Sequence, residues 1–481
     1  MRFSLSVPLS LVLVCALAPA QANAQPADVR TLRCTYEGCV KIALERSPLI
    51  RAAGKSLELY EQYLREAKAI SLPTFSATSL VSILPRQLQP TLDADGKVLD
   101  PHDGSHFLND YNWKDIGPLL VGEVTVTQPL YTFGKISTLR RMANRGLEIG
   151  AATGKIARDE MRYQIARAWW ALVMIGDMGE MMRSGTKLYQ EELEKLEKLR
   201  DSNDDKFNQN DLLKAQLFGA DIEDKVRTVE RLRMQAHDGL RLALDQPEDV
   251  AIVPEIDQLK PIQFQILPVQ AYETVALANT PKLLALRAGV AAKLEQLELA
   301  HNNLYPDIAL VGRLAGVYAP TRNIQTDSVA SNPNNSTVSG GGIAIRWNLD
   351  IFRGMARVGQ AQVEADQAVQ YEKGERERTR MEVRQFYREM VDAKAMVPVK
   401  ERARKWAQGW LNSASQMYED GFEEFPEVLR AMEAFYRNKI AHLEAIYNYN
   451  VAVAALSRAT GMDISNVESV QLPTVATQLT E

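Results

Sequence analysis

The sequence has little of what an enzyme, a metalloprotein or a helical membrane protein requires. Only three of its 481 residues are cysteine and five are histidine, and it has no glycine-rich phosphate loop. Beyond the N-terminal segment no run of 18 apolar residues occurs, which excludes a membrane-spanning helix there. The net charge of -5 gives no support for nucleic-acid binding. We find no catalytic constellation and predict a protein that is not an enzyme and has neither cofactor nor metal site.

The N-terminus has the features of a secretory signal. Arg2 supplies the positive charge, residues 9–18 are apolar, and an Ala-Asn-Ala cleavage site follows at 22–24. We therefore predict a signal peptide over 1–24. Cys15 follows a valine instead of a small residue, which argues against lipidation.

Two further cysteines, Cys34 and Cys39, belong to the mature sequence. An oxidising compartment permits a disulfide between them. Two small buried thiols are the alternative, and the sequence does not decide between these interpretations.

A segment near the N-terminus is repeated in the second half of the chain. Residues 42–73 align without a gap with residues 275–306. In each copy a helical pattern ends at a proline and an alternating strand pattern follows. The alignment keeps Ala43 with Ala276, Pro48 with Pro281, and Pro73 with Pro306 in register. We infer an internal duplication.

The duplication divides the chain into two repeats of the same plan. We predict the first repeat at 25–245, a proline-rich connector at 246–268, the second repeat at 269–462 and a C-terminal tail at 463–481. Each repeat has a helix, two strands and a long helical hairpin. The predicted strands lie at about 74–84, 120–130, 307–318 and 340–350, and the hairpins at about 135–244 and 355–460.

Each predicted strand alternates an apolar with a polar face. In the first strand Phe75, Val81 and Ile83 alternate with threonine and serine. In the last strand Ile343 and Ile345 alternate with polar or small residues. A sheet of four such strands has two open edges and one uncovered apolar face.

The hairpins are too long and too charged to cover that face. Each first helix of about 65 residues would measure roughly 100 Å, and its composition is that of a coiled coil. In a membrane, a closed barrel pairs the backbone groups of every strand and turns the apolar face toward lipid. Because a barrel needs about eight strands or more, a chain with four must oligomerise.

The order of elements resembles the TolC family of outer membrane efflux proteins. The resemblance rests on A-L-x-x-S-P ending at Pro48, A-L-x-x-T-P ending at Pro281, the helix-to-strand prolines, and Gln128-Pro129-Leu130. The resemblance implies a homotrimer with a 12-stranded outer-membrane β-barrel, four strands per protomer, continued by an α-helical coiled-coil tunnel in the periplasm. It further implies an α+β membrane protein of a Gram-negative bacterium.

The same resemblance implies the function of a porin-like exit channel for efflux or type I secretion. A periplasmic adaptor protein and, indirectly, an inner-membrane pump would be its partners, besides outer-membrane lipid. The hairpin tips are the candidate periplasmic gate and adaptor-docking sites, through Asp204, Asp205, Asp420, Gly421, Glu423 and Glu424. Solvated turn residues without a special role are the alternative for each of them. A soluble periplasmic coiled-coil scaffold is the alternative function.

Overall fold

The computed structural model describes residues 30–87, 111–202, 207–256, 258–321 and 334–465. The predicted signal peptide and the predicted tail beyond Ser465 lie outside these residues. Within them, the fold is mostly helical and also contains a four-stranded sheet.

The strands and helices follow the duplicated order. The strands are β1 (Arg30–Cys34), β2 (Thr74–Gln87), β3 (Tyr111–Tyr131), β4 (Val250–Pro254), β5 (Asp307–Tyr318) and β6 (Asn335–Arg346). The helices are α1 (Tyr36–Arg46), α2 (Pro48–Ala69), α3 (Lys135–Asp201), α4 (Gln209–Ala243), α5 (Val269–Asn279), α6 (Pro281–Asn302), α7 (Ile351–Glu419) and α8 (Phe425–Thr460).

Three of the four strands of the large sheet differ from their predicted bounds, and the first of them, β2, ends at Gln87 instead of about 84. The last strand was expected at about 340–350, but β6 ends at Arg346, which pairs with Asp307 at the start of β5. No partner remains for the next residues, and Trp347 donates instead from Nε1 to the carbonyl of Leu304 at 2.9 Å. The strand expected at about 120–130 is longer, because β3 begins at Tyr111 and pairs with the end of β2.

Each helix predicted before a strand is two helices. Ser47 separates α1 from α2, and Thr280 separates α5 from α6. The cause is the proline that begins the second helix in each repeat, since the residue before a proline is disfavoured in helical geometry. By contrast, α7 continues through Pro398, which lies inside the helix.

The connector, expected to be irregular, contributes a strand. β4 pairs in parallel with β1, which precedes the first helix. Thr35 then caps α1 by accepting a hydrogen bond from the backbone of Gly38 at 3.1 Å. This small sheet packs into the main apolar core, which includes Trp169, Leu240 and Ile252.

The long helices lie side by side in a fixed order. Next to the sheet the order is α2, α3, α6, α7, and toward the hairpin tips it is α4, α3, α8, α7. The two repeats therefore meet through α3, which contacts both α6 and α8. One flank of the molecule consists of α2 and α4, and the opposite flank consists of α7. None of the described helices is long and apolar enough to cross a membrane.

The end of α8 abuts the bend between α5 and α6. Thr280 donates from its hydroxyl to the carbonyl of Ala459 at 3.1 Å. Gly461 has a φ of 69°, and a Cβ there would lie 2.8 Å from the carbonyl oxygen of Asn279. The helix that continues α8 is thus α6.

We expect Gly461→Ala to destabilise the protein by about 1–3 kcal/mol, because alanine disfavours this backbone conformation and has no room there. Gly176→Ala is the control, since no atom lies within 4 Å of its added Cβ and it sits inside α3. Thermal unfolding followed by circular dichroism measures both. An equal melting temperature for the two variants would contradict the role of Gly461.

Candidate functional site

The sheet register aligns the apolar positions of all four strands. Neighbours across antiparallel strands lie on the same face. Phe75 is opposite Val126, Val124 is opposite Leu314, and Ile308 is opposite Ile345. The alternation predicted from the sequence therefore forms one continuous apolar face.

This apolar face is uncovered in the single chain. Phe75 is 75% exposed, Val81 70% and Ile343 71%. Soluble monomers rarely expose a contiguous apolar surface of this extent. The face therefore needs a partner that the described part of the chain does not supply.

The half of the opposite face that lies nearer the helices is polar and carries an ion pair. Arg313 on β5 donates from Nη2 to Glu123 on β3 at 2.9 Å, and Thr125 also donates to Glu123 at 3.1 Å. Ser76 and Thr74 continue the polar surface on β2. The ion pair joins the first repeat to the second.

Aromatic residues gather where the sheet meets the helices. The rings of Tyr131 and Phe133 lie 4.7 Å apart, and Phe133 stacks on Tyr305 at 5.4 Å. Phe352, at the start of α7, is 89% exposed. Lys135, at the start of α3, forms an ion pair with Asp307 at 2.8 Å. Such a band is typical of a boundary between an apolar and an aqueous environment.

Both edges of the four-stranded sheet are open among the residues that the structure describes. The strand order is β2, β3, β5, β6, so no other described strand pairs with the outer side of β2 or of β6. The helical flank below each edge also exposes apolar side chains. On the α7 flank these include Val363, Met381 and Trp406, and on the α2 and α4 flank Leu49, Leu217 and Met234.

The tip between α7 and α8 is a glycine turn. Gly421 has a φ of 79°, and its neighbour Phe422 donates its backbone N–H to the carbonyl of Met417 at 2.8 Å. This left-handed residue closes α7, as glycine does at many helix ends. Asp420, Glu423 and Glu424 are exposed around the turn. Asp204 and Asp205, predicted at the other tip, lie outside the described residues.

Sequence reasoning missed a polar cluster just behind the tips. Lys195 on α3 forms an ion pair with Glu192 at 2.6 Å. Lys214 and the buried Asp211 on α4 lie 3.8 Å apart. Tyr418 on α7 is within electrostatic range of Glu192, Asp211 and Lys195. The single signal in the sequence was a carboxylate in the first turn of α4, and it did not indicate burial.

Burial shifts the pKa values of two groups in this cluster. Desolvation raises the pKa of the Asp211 carboxyl, although Lys214 opposes the rise. Desolvation also raises the pKa of the Tyr418 phenol. Both shifts follow from removing water from an ionisable group, which disfavours its charged form.

Apolar contacts join the two hairpins at the same level. Phe425, at the start of α8, is 2% exposed and packs with Leu196 of α3 and Leu212 of α4. Tyr418 lies against Phe425 with ring centres 5.5 Å apart. The position of each tip therefore depends on the other hairpin.

Cys34 and Cys39 form a disulfide in the structure, and both are buried. The bond connects the end of β1 to the first turn of α1. Trp169 donates from Nε1 to the carbonyl of Cys34 at 3.4 Å. Among the described residues, no cluster of side chains could hold a metal ion.

The sheet and the paired hairpins form a fold that solved outer membrane proteins share. VceC from Vibrio cholerae shares it with a TM-score of 0.66 and 18% identity, over 89% of this chain and 96% of VceC. The CmeC outer membrane channel of Campylobacter jejuni has a TM-score of 0.69 and 13% identity, over 89% and 86%. The MtrE outer membrane channel of Neisseria gonorrhoeae has a TM-score of 0.68 and 15% identity, over 89% of each chain.

The second repeat carries the sequence relationship. Residues 274–462 match the family model described as Outer membrane efflux protein. The resemblance to outer membrane efflux proteins, predicted from the sequence, is thereby confirmed. No curated protein sequence matches the chain.

We expect Phe425→Ala to open the tip, because truncating a fully buried phenylalanine typically costs about 3–5 kcal/mol. Phe422→Ala is the matched control, since Phe422 is 82% exposed on the same turn. Limited trypsin digestion measures the difference, with Lys198 and Arg200 as nearby cleavage sites. If Phe425→Ala is cleaved at the wild-type rate, the apolar cluster does not hold the tip.

Proposed function

We propose that the protein is the outer-membrane exit channel of a tripartite efflux or type I secretion system in a Gram-negative bacterium. The observation that carries the proposal is the uncovered apolar face of a sheet whose two edges are both open. Lipid covers such a face, and pairing between copies removes the edges. The efflux-protein match of the second repeat and the channel fold support the same function.

In this proposal three copies join β6 of one to β2 of the next and close a 12-stranded barrel. The flanks then meet in the same order, α7 of one copy against α2 and α4 of its neighbour. The exposed apolar residues on both flanks support this arrangement, because an association buries them from water. The helices continue the barrel as a periplasmic tunnel.

The polar sheet face would then line the channel, with the Glu123–Arg313 pair on its wall. The chain would act as a passive conduit and not as an enzyme, and energy would come from an inner-membrane pump through a periplasmic adaptor. The hairpin tips would dock that adaptor and form the gate. The acidic residues Asp420, Glu423 and Glu424 would ring the periplasmic mouth, together with Asp204 and Asp205.

We expect Leu314→Arg to prevent outer-membrane assembly, since arginine on a lipid-facing barrel position costs about 2–4 kcal/mol near the bilayer centre. Ala315→Arg is the matched control, because Ala315 is on the polar face directly opposite Glu123. Heat-modifiable mobility of outer-membrane fractions reports assembly. Equal tolerance of arginine at both positions would refute the barrel.

Fractionation followed by sizing in mild detergent tests the assembly itself. We expect an outer-membrane species of near three times the protomer mass of 53.8 kDa. A periplasmic monomer that is stable without detergent would favour the soluble scaffold and overturn the channel.

A further inference from the structure

The connector between the repeats is hydrogen-bonded to the first hairpin at two places. On α4, Nε2 of His237 accepts from the backbone N–H of Ile252 at 2.9 Å. On α3, Oδ2 of Asp177 accepts from the backbone N–H of Leu259 at 2.9 Å. A carboxyl group keeps an acceptor oxygen when it is protonated, whereas an imidazole nitrogen does not accept once it carries a proton.

The connector is also hydrogen-bonded to the second hairpin, through α8. Asn450 accepts from the backbone N–H of Ile262 at 3.0 Å and donates to the carbonyl of Lys260 at 2.9 Å. The hydroxyl of Tyr449 donates to the carbonyl of Ile262 at 3.0 Å. An amide does not titrate, and burial raises the pKa of the Tyr449 phenol further above its ordinary value. These bonds to α8 therefore persist in mild acid.

The surroundings of His237 favour the neutral imidazole that this bond requires. Burial lowers the pKa of His237, and Arg241 and Arg233 on the same helix lower it further, while Asp238 opposes them. The imidazole is therefore more easily protonated when it is exposed to water than when it accepts from Ile252. Acid shifts the equilibrium toward the open arrangement as the pH falls below the ordinary pKa of histidine.

The carboxylates on the neighbouring elements are engaged elsewhere or lie in water. Asp238 pairs with Arg241 at 3.4 Å. Asp249, which precedes β4, pairs with Arg30 of β1 at 4.0 Å. β4 itself has no charged residue, and Glu248 before it is exposed. A protonated His237 would thus gain little compensation from an opposite charge in the closed arrangement.

The hydrogen bond from Ile252 lies where α4 is anchored to the core. Leu240 and Leu244 are fully buried and belong to the same apolar cluster as Ile252. Every residue of α4 between Ala215 and Leu240 is at least partly exposed. This end of α4 therefore depends on a short anchored segment, and the His237 bond is part of it.

We propose that the His237–Ile252 hydrogen bond is an acid-sensitive latch, which holds the connector on α4 at neutral pH and releases it in mildly acidic solution. Release exposes the imidazole and frees the backbone N–H of Ile252, whereas the bonds from Asn450 and Tyr449 keep the connector on α8. The end of α4 can then move independently of the connector. The latch depends on the fold of a single chain and is independent of the proposed channel function.

Hydrogen–deuterium exchange of the full-length, detergent-solubilised protein tests the latch, with each rate divided by the chemical exchange rate at the same pH. We expect peptides that contain Ile252 to exchange up to about tenfold faster when the pH falls from about 7.5 to about 5.5, because an exposed imidazole has a pKa of about 6.5. Peptides that contain Ile262 should keep their rate, since their bonds to α8 do not titrate in this range.

His237→Gln separates the latch from general acid sensitivity, because a glutamine carbonyl accepts a hydrogen bond at every pH. This variant should lose the acid response of the Ile252 peptides. His301→Gln is the matched control, since His301 is exposed near the end of α6, and it should respond like the wild type. An unchanged rate in the wild type, an equal acid response of His237→Gln, or equal acceleration at Ile262 would overturn the proposal.

Discussion

The structure depends on one constraint: within the part of the chain that the structure describes, nothing covers the apolar face of the four-stranded sheet. Among these residues the outer strands β2 and β6 have no further strand beside them, and no helix packs on the apolar face. In a soluble domain a second layer would cover such a sheet. Here the helices extend away from it, and in the proposed channel the remaining interactions come from lipid and from other copies.

The long helices also expose apolar side chains along their length. α3 is central and contacts helices of both repeats, whereas α7 and the pair of α2 and α4 expose apolar residues on opposite flanks. Each open edge of the sheet and the helical flank with exposed apolar residues below it thus lie on the same side of the molecule. A single lateral association would satisfy both, which is why the fold is more informative about assembly than any individual residue.

The hairpin tips are held in position by other interactions. Exposed acidic residues at the turn are what the sequence emphasised, yet the contacts that hold the tip are behind it. Phe425 and Leu212 join the hairpins by apolar packing, and the buried Asp211 lies near Lys214 and within electrostatic range of Tyr418. A change in the tip therefore requires moving one hairpin relative to the other, and the charged turn can move with it.

Much of the local structure was readable from the sequence. The duplication, the strand alternation and the long helices each depend on periodicity and on prolines at fixed places, and these are local properties. The bends at Pro48 and Pro281 were also encoded locally, although we interpreted each as one continuous helix. The β1 and β4 strands were missed because five residues carry too little pattern.

By itself the sequence determined which residues alternate, where helices stop and that the chain is a double repeat. Only the tertiary structure decided which residues meet across the repeats. The register that aligns Val124 with Leu314 and the cluster behind the tips both join residues far apart in the chain. Such contacts depend on how whole elements pack, and no short-range pattern specifies that.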